Sequence, residues 1–223
     1  MLSKGHSGPG LYAALSAAGF FDEDMLYTLN QNGTNLPSHP DRRKTPGVDA
    51  TTGSLGQGTS VAAGIAYGLR LQGREQRVYL IVGDGELNEG QCWEAFQFIA
   101  SKRLSNLLVF IDENKRQLDG YTKYIIDPFD IEQKMRAFGF ATKRVKGDDE
   151  EQISEAIDEM LRVRESAVCI VLDTIKGQGV KYFEDMTDNH SVKFTQADFE
   201  AAFAAIDELQ KRAGALADEM ASA

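Results

Sequence analysis

The chain has 223 residues, 42% of them hydrophobic, enough to bury the core of one large domain. Its formal net charge of −10 argues against nucleic-acid binding, which uses a basic face. No apolar run reaches the length of a membrane span, and the start Met1-Leu2-Ser3-Lys4-Gly5-His6 lacks the apolar stretch of a signal peptide. Cys92 and Cys169 make neither a metal spacing nor a disulfide framework. Both sit in apolar-patterned segments and read as buried thiols in a reducing cytoplasm.

In chain order, Leu11 to Ala18 reads as a helix closed by Gly19, and Asp22 caps a second with Met25, Leu26 and Leu29 at helical spacing. Residues 30–53 are a long loop punctuated by Asn32-Gly33, Pro37, Pro40 and Pro46-Gly47, and a loop of that length in a compact domain is usually functional. Leu55 to Leu71 reads as a helix rich in glycine and alanine, suited to close packing either inside the domain or at a subunit contact. Then strands and helices alternate: strand 77–83, helix 88–102, strand 107–112, helix 130–138, strand 140–146, helix 150–164 and strand 167–174. That alternation predicts an α/β fold, a parallel sheet with helices on both faces. Residues 175–194 read as a loop. Thr195, with Asp198 three residues on, caps a helix to about Gln210, and the tail, about 212–223, is expected to be flexible. Residues 1–223 form a single domain in this reading.

Two apolar strands end in chemistry. Val78-Tyr79-Leu80-Ile81-Val82 runs into Gly83-Asp84-Gly85, and Leu107-Leu108-Val109-Phe110-Ile111 runs into Asp112-Glu113-Asn114. A helix and a returning strand fit between them, so Asp84 and Asn114 come side by side at the carboxyl edge of a parallel sheet, where such sheets bind ligands. Two hard oxygen ligands there suit Mg²⁺, and Mg²⁺ suits a diphosphate. Taken alone, Asp84 also fits a plain Asp-Gly turn. Gly83 and Gly85 allow close backbone approach, and the amino-terminus of helix 88–102 favours an anion. No Rossmann context and no Walker lysine accompany these glycines.

The pattern Gly-Asp-Gly, about thirty residues, Asn is a thiamine diphosphate fingerprint. The words around it resemble transketolase: Gly83-Asp84-Gly85-Glu86-Leu87-Asn88-Glu89-Gly90 with Trp93-Glu94-Ala95, then Lys4-Gly5-His6, Ser38-His39-Pro40, and Thr51-Thr52-Gly53-Ser54-Leu55-Gly56-Gln57-Gly58. The resemblance covers nearly the whole chain and matches the amino-terminal, cofactor-binding part of that family. It implies the thiamine diphosphate-binding fold. It also implies Mg²⁺, with Ca²⁺ or Mn²⁺ as substitutes, held by Asp84, Asn114, the backbone carbonyl of Arg116, two diphosphate oxygens and a water. Gly53, Ser54, Leu55, Gly83, Gly85, Glu86, Asn114, His6 and His190 match cofactor-binding positions. His6, His39 and His190, the chain's three histidines, match residues that stabilise and relay protons among substrate hydroxyls. A lone loop histidine is normally solvated. His190 carries the weakest match, because Lys193-Phe194 follow where the family usually has His-Gly. Glu113 stands where many members have another Asn. Glu89 and Glu94 read either as surface charges or, for Glu89, as part of a subunit contact.

The resemblance further implies a transferase of the pentose phosphate type, moving a two-carbon ketol unit from a ketose phosphate to an aldose phosphate. The family's activating glutamate lies on a pyrimidine-binding domain that is outside this chain. A split enzyme is therefore expected, paired with a carboxyl-terminal partner subunit in an α₂β₂ assembly, with sugar phosphates as substrates, and neither nucleic acid nor membrane. The family's further helical segment before Lys4-Gly5-His6 is also outside it, which leaves part of the substrate funnel open. The alternatives are another carboligase on this scaffold, a relative of 1-deoxyxylulose-5-phosphate synthase or a specialised sugar-degradation transketolase, and a degenerate fragment that binds a partner without catalysis.

Overall fold

The carboxyl edge of one parallel sheet organises the molecule. The computed structural model describes residues 1–222, and side-chain burial through Ala215. The strands are β1 (Val78–Gly83), β2 (Leu107–Glu113), the two-residue β3 (Arg116–Gln117) and β4 (Gly120–Tyr121), β5 (Ala141–Lys146) and β6 (Val168–Asp173). The helices are α1 (Gly8–Ala17), α2 (Gln57–Leu71), α3 (Gly90–Ser101), α4 (Thr122–Ile125), α5 (Ile131–Ala137), α6 (Glu150–Met160), α7 (Lys181–Asp185) and α8 (Gln196–Ser222). The main sheet runs β1-β2-β6-β5, every pair parallel, while β3 and β4 form a small antiparallel hairpin. Residues 1–3 lengthen the β1 edge, with a parallel bridge from Leu2 to Ile81.

Strand alternation divides the core. Val78, Leu80 and Val82 of β1 and Leu107, Val109 and Ile111 of β2 face α2, α3 and α5, where Ala62, Phe96 and Met135 are buried against them. Leu108, Phe110 and Ile170 face the opposite way, onto Ala156 and Met160 of α6. Helices thus lie on both faces, as expected for a doubly covered parallel sheet. Phe96 is fully buried at the centre of the larger cluster. Truncating it to alanine would cost about 3–5 kcal/mol.

The long loop 30–53 has no regular structure but is pinned at three points. Tyr12, buried on α1, donates to the Pro37 carbonyl at 2.7 Å; Thr45 donates to the Asn35 carbonyl at 2.5 Å; Thr52 donates to the Leu2 carbonyl at 2.6 Å.

Several local readings are corrected. The helix predicted after Asp22 is a 3₁₀ helix, Glu23–Thr28, and the Asp22 side chain caps nothing. Met25 and Leu29 donate to carbonyls three residues back, those of Asp22 and Leu26, and Asn30, at φ 60°, lies just past the run. α2 starts at Gln57, not at Leu55. Gly56, at φ 83°, is its N-cap and Ser54 gives no side-chain cap. The helix expected at 88–102 starts at Gly90, as α3, and a separate 3₁₀ turn, Gly85–Asn88, precedes it. The 175–194 loop contains α7, and the β3–β4 hairpin and α4 were not anticipated. α8 passes Gln210 and Gly214 and runs to Ser222, in a segment of helix-favouring Ala, Leu, Glu and Met where one glycine costs only about 1 kcal/mol. Of the tail expected to be flexible, Ala223 lies outside the described residues. The capping box holds: Asp198 accepts from both the Thr195 N–H and hydroxyl, and Thr195 accepts back from the Asp198 N–H.

Candidate functional site

At the carboxyl ends of β1, β2 and β6 lies a cavity of about 630 Å³. Asp84, Asn114, Arg116, His6, His190, Leu55, Gly83, Gly85, Glu86 and Glu89 all line it. The register explains the meeting of the first two. Gly83 pairs with Asp112, and the Asp84 N–H donates to the Asp112 carbonyl, so the residues that follow each strand leave the sheet at one level.

Asp84 is buried, with each carboxylate oxygen held by a backbone N–H, Gly85 at 2.8 Å and Lys115 at 2.7 Å. Burial pushes its pKa up to about 6 against those two bonds, and Asp112 and Glu113 add repulsion. Among the described residues no cation pairs with it. Asp112, two residues before Asn114, is the opposite case. Burial alone would raise it, but Lys4, Thr174 and Asn114 all donate to it and together hold it below the usual carboxylate range. One carboxylate is thus committed to the protein and the other lacks a positive partner. Among the described residues no three His, Cys, Asp or Glu side chains cluster to hold a metal unaided. A cation here needs Asp84, an amide or carbonyl oxygen, and the ligand's own oxygens, which fits a hard divalent ion on a diphosphate.

Glu113 turns the other way, into a bidentate pair with Arg144 on β5. Arg144 offsets its charge within the protein, so only part of it is felt as repulsion at Asp84. The Arg116 guanidinium also turns away. It donates to the Met186 and Thr187 carbonyls at 2.6 and 3.0 Å, donates to the Tyr121 hydroxyl at 2.7 Å, and lies 4.4 Å from the Tyr121 ring centroid. Its side chain therefore tethers the segment that leads to His190.

His6 and His190 face each other with ring centroids 5.0 Å apart. Burial lowers the pKa of His6 to about 4, helped by His190, Lys176 and Lys4. Burial and then Lys176 lower that of His190 as well. The Lys176 Nζ lies 2.7 Å from His190 Nδ1. With Lys176 as an ammonium, which can only donate, His190 accepts at Nδ1 and carries its proton on Nε2.

Glu86 lines the cavity, yet its carboxylate is spent inside the protein. Oε1 accepts from the Ser3 hydroxyl at 2.5 Å and the Gly56 N–H at 2.8 Å, and Oε2 accepts from the Gly83 N–H at 3.3 Å. The Gly85 N–H is likewise committed to Asp84, and a β-carbon at Gly85 would come within 3.0 Å of Gln117. The helix start at the cavity is the short 3₁₀ turn, not α3. His39, Gly53 and Ser54 are not on the wall. His39 is exposed and its ring packs on Gly53, where a β-carbon would meet it at 3.0 Å; Gly53 in turn lies against Gly5, next to His6. Glu89 is exposed at the rim and Glu94 is exposed on α3.

Three charged lining residues went unassigned in the sequence: Lys4, Asp112 and Lys176. The signals were present. Lys4 and Asp112 sit inside the motif words, and Lys176 follows the end of β6 directly before Gly177, at φ 83°.

Residues 1–207 match the family model described as the transketolase, thiamine diphosphate binding domain. The chain is 44% identical over 207 residues to the 6-deoxy-6-sulfo-D-fructose transketolase subunit SqwG of Clostridium sp. (strain MSTE9), covering 93% of this chain and 75% of that one. It is 37% identical over 188 residues to one of the named subunits of the apulose-4-phosphate transketolase of Actinobacillus succinogenes, covering 84% and 68%. The structure of transketolase from Campylobacter jejuni superposes with a TM-score of 0.81 at 26% identity, over 92% of this chain. The chain spans 33% of that longer transketolase. It belongs to the transketolase family, in which it is the thiamine diphosphate-binding domain.

Proposed function

We propose that this chain is the cofactor-binding subunit of a split transketolase, which transfers a two-carbon ketol unit from a ketose phosphate to an aldose phosphate. The observation that carries the reading is the cavity at the sheet edge, lined by a buried carboxylate that pairs with no cation among the described residues, an asparagine, two lysines and two facing histidines. Asp84, Asn114 and the Arg116 carbonyl would hold Mg²⁺, or Ca²⁺ or Mn²⁺ in its place, and Lys4 and Lys176 would face the diphosphate charge. Thiamine diphosphate, when bound, supplies the acidic ring carbon that adds to a ketone, chemistry no side chain here provides. His190, with its proton on Nε2, donates to a substrate oxygen on which charge develops. His6, neutral at physiological pH, donates or accepts beside it. His39 acts from the Gly53 side, toward the substrate.

The partner in this reading is a second chain carrying the pyrimidine-binding domain and its activating glutamate, in an α₂β₂ assembly. The relatives named as subunits support it, as do the exposed apolar side chains of Leu118, Ile126 and Ile175 at the cavity mouth. Among the described residues no helix is long and apolar enough to cross a membrane, and both cysteines are free and buried, in keeping with a cytoplasmic enzyme. A second reading is a specialised sugar-degradation transketolase whose donor carries a different terminal anion. The 44% identity to the sulfo-sugar transketolase favours it.

Reconstitution tests the proposal. The purified chain alone should show no ketol transfer, and mixing with the cognate second subunit should restore it with Mg²⁺ and thiamine diphosphate present. Donor panels of ketose phosphates and sulfo-ketoses then separate the two readings. Robust transfer by the isolated chain would overturn the split-enzyme assignment.

A further inference from the structure

Asp112 is one of the most heavily bonded side chains in the cavity, yet it is not one of the residues that the proposed function places on the metal. Its Oδ2 accepts from the Lys4 ammonium and, at 3.1 Å, from the Asn114 amide NH₂, while its Oδ1 accepts from the Thr174 hydroxyl. Asn114 has one further bond: its Oδ1 accepts from the Arg116 N–H at 3.1 Å.

These two bonds fix which end of the Asn114 amide is which. Amide oxygen and nitrogen have nearly the same shape, so an asparagine can present either one. A carboxylate that is ionised can only accept, and a backbone N–H can only donate. Asp112 therefore demands the NH₂ end and Arg116 demands the oxygen end. A flipped Asn114 would set its oxygen against a carboxylate and its NH₂ against an N–H, losing both bonds. Asp112 itself cannot turn freely, because Lys4 and Thr174 hold its two oxygens from different elements, the amino-terminal segment and the end of β6. Only the oxygen end of Asn114 can ligate a hard cation.

We infer that Asp112 is a positioning residue that locks the Asn114 amide with its oxygen toward the metal position. The inference rests on the metal reading above and deepens it. Partners that orient a metal ligand typically contribute 10–100-fold in metal affinity.

The test is Mn²⁺ binding by the full chain in the presence of inorganic pyrophosphate, followed by electron paramagnetic resonance, with folding checked by circular dichroism and Tm. Asp112→Leu is close to isosteric but offers Asn114 no acceptor, so the lock is lost, and Mn²⁺ affinity falls by about tenfold or more. In the Asn114→Ala background no amide is left to orient, so adding Asp112→Leu lowers affinity by no more than about threefold further, the non-additive behaviour of residues in direct contact. A general electrostatic or structural role for Asp112 predicts the same loss in both backgrounds. Wild-type affinity in Asp112→Leu, or an equal loss in the two backgrounds, overturns the inference. Should Asp112→Leu fail to fold, Asp112→Glu, which keeps the charge but moves the carboxylate off Asn114, decides alone, a loss of about tenfold supporting the lock and wild-type affinity overturning it. Absence of Mn²⁺ binding by the wild type itself would overturn the metal reading, and the inference with it.

Discussion

The floor of the cavity is built from strand ends, and its far wall from a loop. On the floor, Asp84 and Asn114 follow β1 and β2 directly, and their positions are set by sheet register and by backbone N–H bonds to Asp84. On the wall, His190 lies in a segment with no regular structure. It is held by Lys176, by the Arg116 guanidinium on residues 186 and 187, and by Asn189, which donates to the Lys176 and Phe183 carbonyls. The floor is suited to a fixed charge, a metal and a diphosphate. The wall is suited to groups that handle protons on a substrate that comes and goes. Loops positioned by a rigid scaffold commonly carry that kind of work.

The comparison can be broken from the wall side first. His190→Ala should lower ketol transfer by the reconstituted enzyme by roughly 10²-fold, while Mg²⁺-dependent cofactor affinity stays within about threefold. Equal losses of turnover and affinity would show that floor and wall are not separable.

Arg116→Ala sharpens the same division. It removes the tether to residues 186 and 187 but not the backbone at Arg116. Hydrogen exchange over 186–190 should rise by roughly tenfold, the scale of lost hydrogen bonds to a charged group. Unchanged exchange there would mean that the wall is held by something else.

Proton linkage separates the two as well. The pKa of Asp84, about 6, lies above its ordinary 3.8, so the folded, metal-free chain retains a proton that the unfolded chain releases. This group's contribution to stability is full below about pH 4 and is lost as pH rises through about 6. A divalent cation binds the ionised form. The Tm gain from Mg²⁺ with pyrophosphate should therefore be larger at about pH 7.5 than at about pH 5, with the difference centred near pH 6. A gain independent of pH would remove Asp84 from the metal. The smallest effect is expected from His39→Ala. His39 lies behind Gly53 and off the cavity wall, so cofactor affinity should stay within about threefold while transfer falls. Weakened cofactor binding would move His39 to the floor.

The floor was legible in the sequence because its signal is local. Two apolar runs end in Gly-Asp-Gly and in Asp-Glu-Asn, and a parallel sheet then leaves little choice about where those residues go. The wall was legible only as residue types. His190 could be named from its motif, but its contact with Lys176 and its tether to Arg116 join positions that no periodicity connects. The β3–β4 hairpin was missed because strands of two residues carry no alternating pattern, and its two-residue loop, Leu118-Asp119, is not one of the recognised turn pairs. The role of Glu86 was invisible for a related reason. Ser3, Gly56 and Gly83 meet on one buried carboxylate, and only the fold shows that its oxygens are already used.

The measurement that bears most directly on the central claim is titration calorimetry of thiamine diphosphate into the assembled enzyme, with and without Mg²⁺, for the wild type and for Asp84→Ala. The account predicts saturable binding by the wild type only when Mg²⁺ is present. It predicts none by a folded Asp84→Ala variant, because removing a ligating carboxylate leaves the diphosphate charge poorly neutralised. Unchanged Mg²⁺-dependent affinity in Asp84→Ala would contradict it.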